Sequence, residues 1–164
     1  MSRRVPDAAH PAPDRTDPAH YVCWMEERVR FADLDVLGHV NNVATSVYFE
    51  SGRIALLMQA DLYAASGPFH NVVVHVAMDY LREIRFPSTV RIGTRVERIG
   101  RTSFDVGCGM FVEDACVATG LSVFVRLANQ AGRPVPLSDA ERARLASLMS
   151  RATARSSDDG DPDR

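Results

Sequence analysis

The chain has 164 residues, 46% of them hydrophobic, and a formal net charge of −2. That length suits one domain with a sizeable core, and the charge gives no general reason to expect a nucleic-acid partner. Cys23, Cys108 and Cys116 cannot all pair within the chain and lack CxxC metal spacing, so reduced thiols in a cytoplasmic protein are the economical reading.

Residues 1–20 are rich in proline and polar side chains where a signal peptide needs an apolar core, and they read as a disordered segment. The tail over 151–164 has the same composition. No apolar run approaches the roughly 20 residues that cross a bilayer, so no membrane insertion is expected. The folded unit is therefore expected over 21–150.

A first strand is predicted over Val22–Ala32, where Val29 and Phe31 alternate with Arg28 and Arg30. The loop DLDVLGHVNN follows, and then a long helix. Its signal is Val47, Tyr48, Ser51, Ile54, Ala55, Met58 and Leu62 near helical spacing, with Leu56 and Leu57 widening the apolar face. Asn42 or Thr45 can cap its start, and Ser66-Gly67-Pro68 marks the chain soon after its end. Four strands follow, over 72–81, 90–100, 103–114 and 117–129, with connections short enough for antiparallel neighbours. In the second of these, Val90, Ile92, Thr94 and Val96 share one face, while Arg91, Arg95 and Glu97 turn to water or a ligand. A last helix is predicted over 138–149, where Ser138 and Glu141 fit a capping box. This order describes an α+β layer in which the long helix covers the apolar face of the sheet.

Three pieces carry a resemblance: Asp33-Leu34-Asp35-Val36-Leu37-Gly38-His39-Val40-Asn41-Asn42, Tyr48-Phe49-Glu50-Ser51-Gly52-Arg53, and Asp79-Tyr80-Leu81-Arg82. With RIGRTSF and GRPVPL downstream, they resemble the hotdog-fold acyl-CoA thioesterases, especially the 4-hydroxybenzoyl-CoA thioesterase-like group, over most of 22–149. The resemblance implies a single hotdog fold, a curved antiparallel sheet wrapped around a long central helix. It also implies homodimers or homotetramers, paired edge to edge, with active sites at the interface.

The activity implied is hydrolysis of an acyl-CoA thioester to free acid and CoA, with no cofactor beyond the CoA of the substrate and no metal. Asp35 falls on the family's catalytic carboxylate, as a general base toward water or as the attacking nucleophile. Its bland alternative is an aspartate that shapes the turn. The backbone N–H of Asn42 is the implied oxyanion donor, with Asn41 next. His39 is expected to support the pocket before it transfers protons. Glu50 is the reserve carboxylate, set against a plain Glu50–Arg53 helix pair. Gly38, Asn41, Tyr48 and Tyr80 are expected around the substrate, and Arg82, Arg91, Arg98 and Arg101 (with Arg85) near the CoA phosphates. Asp33 is expected to order the loop or face a partner, and His75 to be a structural histidine. The competing functions are acyl-carrier-protein hydrolysis and a noncatalytic acyl-thioester-binding module.

Overall fold

The computed structural model describes residues 14–63, 68–129 and 132–149. The tail over 151–164, residues 1–13 and the Ser66-Gly67 signal lie outside the described residues. Five strands and two helices follow in chain order: β1 (Cys23–Arg28), α1 (Asn42–Gln59), β2 (Phe69–Tyr80), β3 (Thr89–Ile99), β4 (Ser103–Val112), β5 (Ala115–Ala128) and α2 (Asp139–Ser147). The strands form one antiparallel sheet in the order β1-β3-β4-β5-β2, with α1 packed chiefly on β1, β3 and β4. This is the expected hotdog arrangement.

α1 buries Thr45, Tyr48, Phe49, Gly52, Leu56 and Leu57 against the sheet. Phe49 and Leu56 are almost wholly inaccessible, and burial of each is worth about 1.5–3 kcal/mol. Gly52 sets how near the helix comes, since a Cβ there would lie 2.5 Å from the Ile92 side chain of β3. The N-cap is Asn41, whose Oδ1 accepts from the Val43 N–H at 2.8 Å, rather than the expected Asn42 or Thr45. α2 does carry the Ser138–Glu141 capping box. Its end seats on the bulge of β3, where the Val96 N–H donates to the Leu148 carbonyl at 2.9 Å.

Two expectations about the first forty residues change. The strand predicted to Ala32 stops at Arg28, and Phe31–Asp33 makes a single 3-10 turn instead. Asp33 causes the break: its carboxylate accepts from the Arg30 backbone N–H at 2.8 Å and draws the chain out of the ladder. Phe31 consequently points outward against Phe86 rather than into the core.

The second change concerns Asp14–His20. Composition predicts disorder there, yet the segment lies as a strap across the sheet face opposite α1. Arg15 pairs with Glu97 through two bonds of 3.0 and 2.6 Å, and the Tyr21 hydroxyl donates to the Arg15 carbonyl at 2.7 Å. Gly93 and Gly109 make room for the Tyr21 side chain, because a Cβ would fall 2.5 Å from its ring at Gly93 and 2.5 Å from its hydroxyl at Gly109. Arg95, expected to face water or a ligand, is covered by this strap and is 1% exposed. It donates to Glu97 and to the Asp14 carbonyl, and its guanidinium lies over the Tyr21 ring. The alternation expected on β3 holds; what covers its polar face comes from about eighty residues away.

β2 differs from its neighbours. It is an edge strand, hydrogen-bonded only to β5 among the described strands, and Val73, Val74 and Val76 remain exposed. His75, expected to be a satisfied structural histidine, is also exposed on this strand. Cys23, Cys108 and Cys116 are free thiols. Burial pushes the Cys108 thiol up to about 12, which keeps it protonated and unreactive.

Candidate active site

The DLDVLGHVNN stretch folds as a tight hairpin feeding the start of α1. Leu34 and Val40 pair, the Asp35 N–H donates to the His39 carbonyl at 2.8 Å, and the Gly38 N–H donates back to the Asp35 carbonyl at 3.1 Å. Val36, Leu37 and Gly38 thus form a three-residue loop that ends in a left-handed residue, with Gly38 at φ 80°. Glycine suits that position because a Cβ is disfavoured at such a φ.

Asp35 both shapes this loop and keeps one oxygen in reserve. Its Oδ1 accepts from the Leu37 N–H at 2.8 Å and the His39 N–H at 3.3 Å, as a turn-forming aspartate does. Its Oδ2 makes no hydrogen bond among the described residues. One oxygen is anchored and the other is free to take a proton or attack a carbon.

Asp35 opens onto a cavity of about 300 Å³ between the hairpin, α1 and the segment after β2. Asn42 and Thr45 line it from α1, and Tyr80, Arg82 and Glu83 from the β2 side. Val40, Leu81, Ile84, Val117 and Ala118 supply an apolar floor. At the helix start, Asn41 satisfies the N–H groups of Val43 and Thr45 with its side chain and carbonyl. The Asn42 N–H has no acceptor among the described residues. It is therefore an open donor at the positive end of an 18-residue helix.

His39 fastens the hairpin to the opposite wall. Its Nε2 lies 3.0 Å from Glu83 Oε2, and its backbone pairs with that of Arg85. Arg85 in turn holds the same Glu83 oxygen at 3.0 Å. Glu83 is the residue sequence reasoning missed; it directly follows Arg82 in the quoted Asp79–Arg82 run, and its position there was the available signal. Thr45 is expected only as a cap, although it sits three residues after Asn42 and so on the same helix face.

The remaining candidates separate. Tyr80 and Arg82 line the Asp35 cavity. Tyr48 does not line that cavity: it is 2% exposed, and its hydroxyl donates to Asp33 Oδ2 at 2.5 Å. Asp33 is buried at the base of the hairpin. Arg30, bonded to both carboxylate oxygens, holds its carboxyl down at about 2, with the Tyr48 hydroxyl adding to the effect. Glu50 lies along the helix from Asp35, in a second cavity of about 190 Å³ with Arg53, Ile54, Leu57, His70 and Asn71. The described residues show no Glu50–Arg53 ion pair, so the plain helix pair is not formed. Arg91 stacks on Trp24 at 4.6 Å and faces Glu26, and Arg98 is held by Asp105 at 2.7 and 2.9 Å. Arg101 is exposed at the β3–β4 turn. None of these three arginines lines the Asp35 cavity. Among the described residues, no three His, Cys, Asp or Glu side chains gather as a metal-holding group, and no helix is long and apolar enough to cross a membrane.

A long helix against a five-stranded antiparallel sheet, with a carboxylate hairpin at the helix start, defines the hotdog class of thioester hydrolases. Residues 29–145 match the family model of the thioesterase-like superfamily, and the chain belongs to that family. YsmA of Bacillus subtilis (strain 168), an uncharacterized protein, is 30% identical over 118 residues, covering 71% of this chain and 80% of that one. Among solved structures, the PA5185 protein of Pseudomonas aeruginosa strain PAO1 is 30% identical at a TM-score of 0.74, covering 81% of this chain and 95% of its own. A thioesterase of Thermus thermophilus, solved with coenzyme A and zinc, is 36% identical at a TM-score of 0.69 and covers 79% and 95%. The chain is thus an enzyme of the thioesterase class.

Proposed function

We propose that the chain hydrolyses an acyl-CoA thioester to a free acid and CoA at the Asp35 hairpin. The observation that carries this reading is that Asp35, with its Oδ2 unengaged, and Asn42, with its N–H open, line one cavity. The Thermus relative solved with coenzyme A supports the choice of carrier.

In the general-base route, Asp35 takes a proton from water as the water oxygen bonds to the thioester carbon. The Asn42 N–H receives the oxyanion, the C–S bond breaks, and the proton passes from Asp35 to the leaving sulfur. In the nucleophilic route, Oδ2 itself bonds to that carbon, the thiolate leaves, and water then splits the mixed anhydride. An oxyanion donor of this kind is worth about 3–4 kcal/mol in the transition state. His39 and Glu83 brace the hairpin against the far wall in either route. Arg82, exposed at the rim, is the cation on hand for a CoA phosphate.

The working unit in this reading is a homodimer joined through β2. Its edge is free and its valines are exposed, which leaves backbone groups for a second strand. Antiparallel pairing about a two-fold axis sets the Tyr80 end of one β2 beside Phe69 of the partner subunit. The Asp35 cavity of one protomer then meets the Glu50 cavity of the other, which gives Glu50 a route to the site that it lacks within one chain.

The test is free-thiol release from short, long and aromatic acyl-CoAs, with the same acyl groups on a carrier protein in parallel. Hydrolysis of the CoA esters that Asp35→Asn abolishes supports the proposal. Turnover confined to the carrier protein replaces CoA as the carrier, and binding without turnover ends the enzymatic reading for those acyl groups. A protein-bound acyl adduct trapped on rapid quenching marks the nucleophilic route.

A further inference from the structure

We infer that Asp33 and Tyr48 are positioning residues, a strut that sets the distance between the Asp35 carboxylate and the Asn42 N–H. The inference rests on the hydrolytic reading of the Asp35 cavity and names what holds that cavity in register.

The chain makes the connection short. Asp33 lies two residues before Asp35, and Asn41 lies one residue before Asn42. The Asn41 N–H donates to the Asp33 carbonyl at 2.8 Å, closing the base of the hairpin. The same residue's carboxylate then reaches α1: Oδ2 accepts the Tyr48 hydroxyl at 2.5 Å, in the second turn of that helix. Arg30 grips the other side of the carboxylate from the chain entering the hairpin, with its Nη2 at 2.9 Å from Oδ1. One residue thus joins the entering chain, the hairpin base, the cap and the body of the helix.

The geometry also argues against a role for this carboxylate in chemistry. Both its oxygens are engaged, it does not line the cavity, and Tyr48 is closed off from solvent. A saturated carboxylate cannot serve as base or nucleophile, but it can hold one. The hairpin's other supports attach its far arm to the segment after β2: the Val40 N–H to the Ile84 carbonyl, and His39 to Glu83. Without the strut the hairpin keeps those ties but loses its side-chain link to α1, so Asp35 and the helix N–H drift relative to each other. Catalysis is sensitive to such drift, since a displacement of about 1 Å can cost on the order of a hundredfold in rate.

Tyr48→Phe removes only the hydroxyl and leaves the ring in the core; Asp33→Asn keeps the shape and one acceptor oxygen. Leu145→Val in α2, remote from the hairpin, serves as a control with a comparable loss of thermal stability. Two quantities are read on the full chain: amide hydrogen exchange in the ligand-free protein, and kcat and KM on an acyl-CoA it hydrolyses. In Tyr48→Phe, the amides of Leu37, His39 and Asn41 should exchange on the order of tenfold faster while those of β4 and β5 hold their rates. Its kcat should fall on the order of ten- to a hundredfold with KM nearly unchanged. Asp33→Asn should show a smaller loss of the same kind, and Leu145→Val neither effect. Unchanged hairpin exchange in Tyr48→Phe, an unchanged kcat, or an equal kcat loss in Leu145→Val overturns the strut. If the wild-type protein hydrolyses no acyl-CoA, the hydrolytic reading fails on that carrier, and the exchange measurement alone still decides whether the strut exists.

Discussion

The base and the tip of the Leu34–Val40 hairpin each carry an aspartate, and the two could hardly be treated more differently. At the base, Asp33 is buried, bonded to Arg30 and Tyr48 on both oxygens, and held ionised down to about pH 2. At the tip, Asp35 spends one oxygen on the turn and leaves the other unengaged beside an open cavity. Residue type is the same, and the sequence separation is two. The difference teaches that a carboxylate's role follows from how many of its lone pairs the fold consumes.

The sharpest way to break the contrast is Asp35→Asn. The amide still accepts from Leu37, so the turn and the melting temperature should survive, while kcat for thioester hydrolysis falls on the order of a hundred- to ten-thousandfold. A variant that keeps its activity would remove Asp35 from the chemistry. Melting curves run beside the thiol-release assay separate a lost base from a lost fold.

Asp33 should fail in the opposite sense under acid. Its folded value of about 2 lies below the ordinary carboxylate value of about 3.9, so its stabilisation is complete above the latter and lost as pH falls through the former. Unfolding midpoints followed from pH 5 to about 2 should show an acid limb that Asp33→Asn flattens. An unaltered limb would mean that other groups carry the acid sensitivity.

Gly38→Ala tests the turn that both aspartates share. A left-handed φ at a residue with a Cβ costs about 1–2 kcal/mol, so denaturant unfolding should report a loss of that size. Activity should drop along with it, because the strained residue sits between Asp35 and His39. The smallest expected effect is Glu83→Gln. This pair is half exposed, and such pairs contribute about 0–1 kcal/mol, so stability should hardly move. A several-fold change in kcat with an altered pH profile would show that Glu83 tunes His39, whereas no change would leave it a brace.

Much of this architecture is legible in the sequence, for reasons that differ by element. Strands β2 to β5 and both helices announce themselves through hydrophobic period, and α2 through a capping box confined to four consecutive residues. Resemblance picks out Asp35, and residue type alone suggests its turn-forming side. The expected β1 is too long because alternation continues through Phe31, and nothing local reveals that Asp33 captures the Arg30 backbone. Alternation assigns Arg95 to water or a ligand because it says which face a residue takes and not what lies over that face. Tyr48, expected around the substrate, is buried against Asp33 within the chain, and its position in the motif gives no hint that Asp33, fifteen residues back, takes its hydroxyl.

By itself the sequence determined the local conformations: a glycine-ended hairpin, an asparagine-rich helix start, and strands of period two. These depend on backbone preferences and on bonds within a few residues, which are written in consecutive letters. Only the tertiary structure decided which aspartate is saturated, that Glu83 meets His39, that the strap buries Arg95, and that Glu50 stands apart from Asp35 within one chain. Those outcomes depend on which charges meet across the fold and which lone pairs remain, and contacts between distant segments set both.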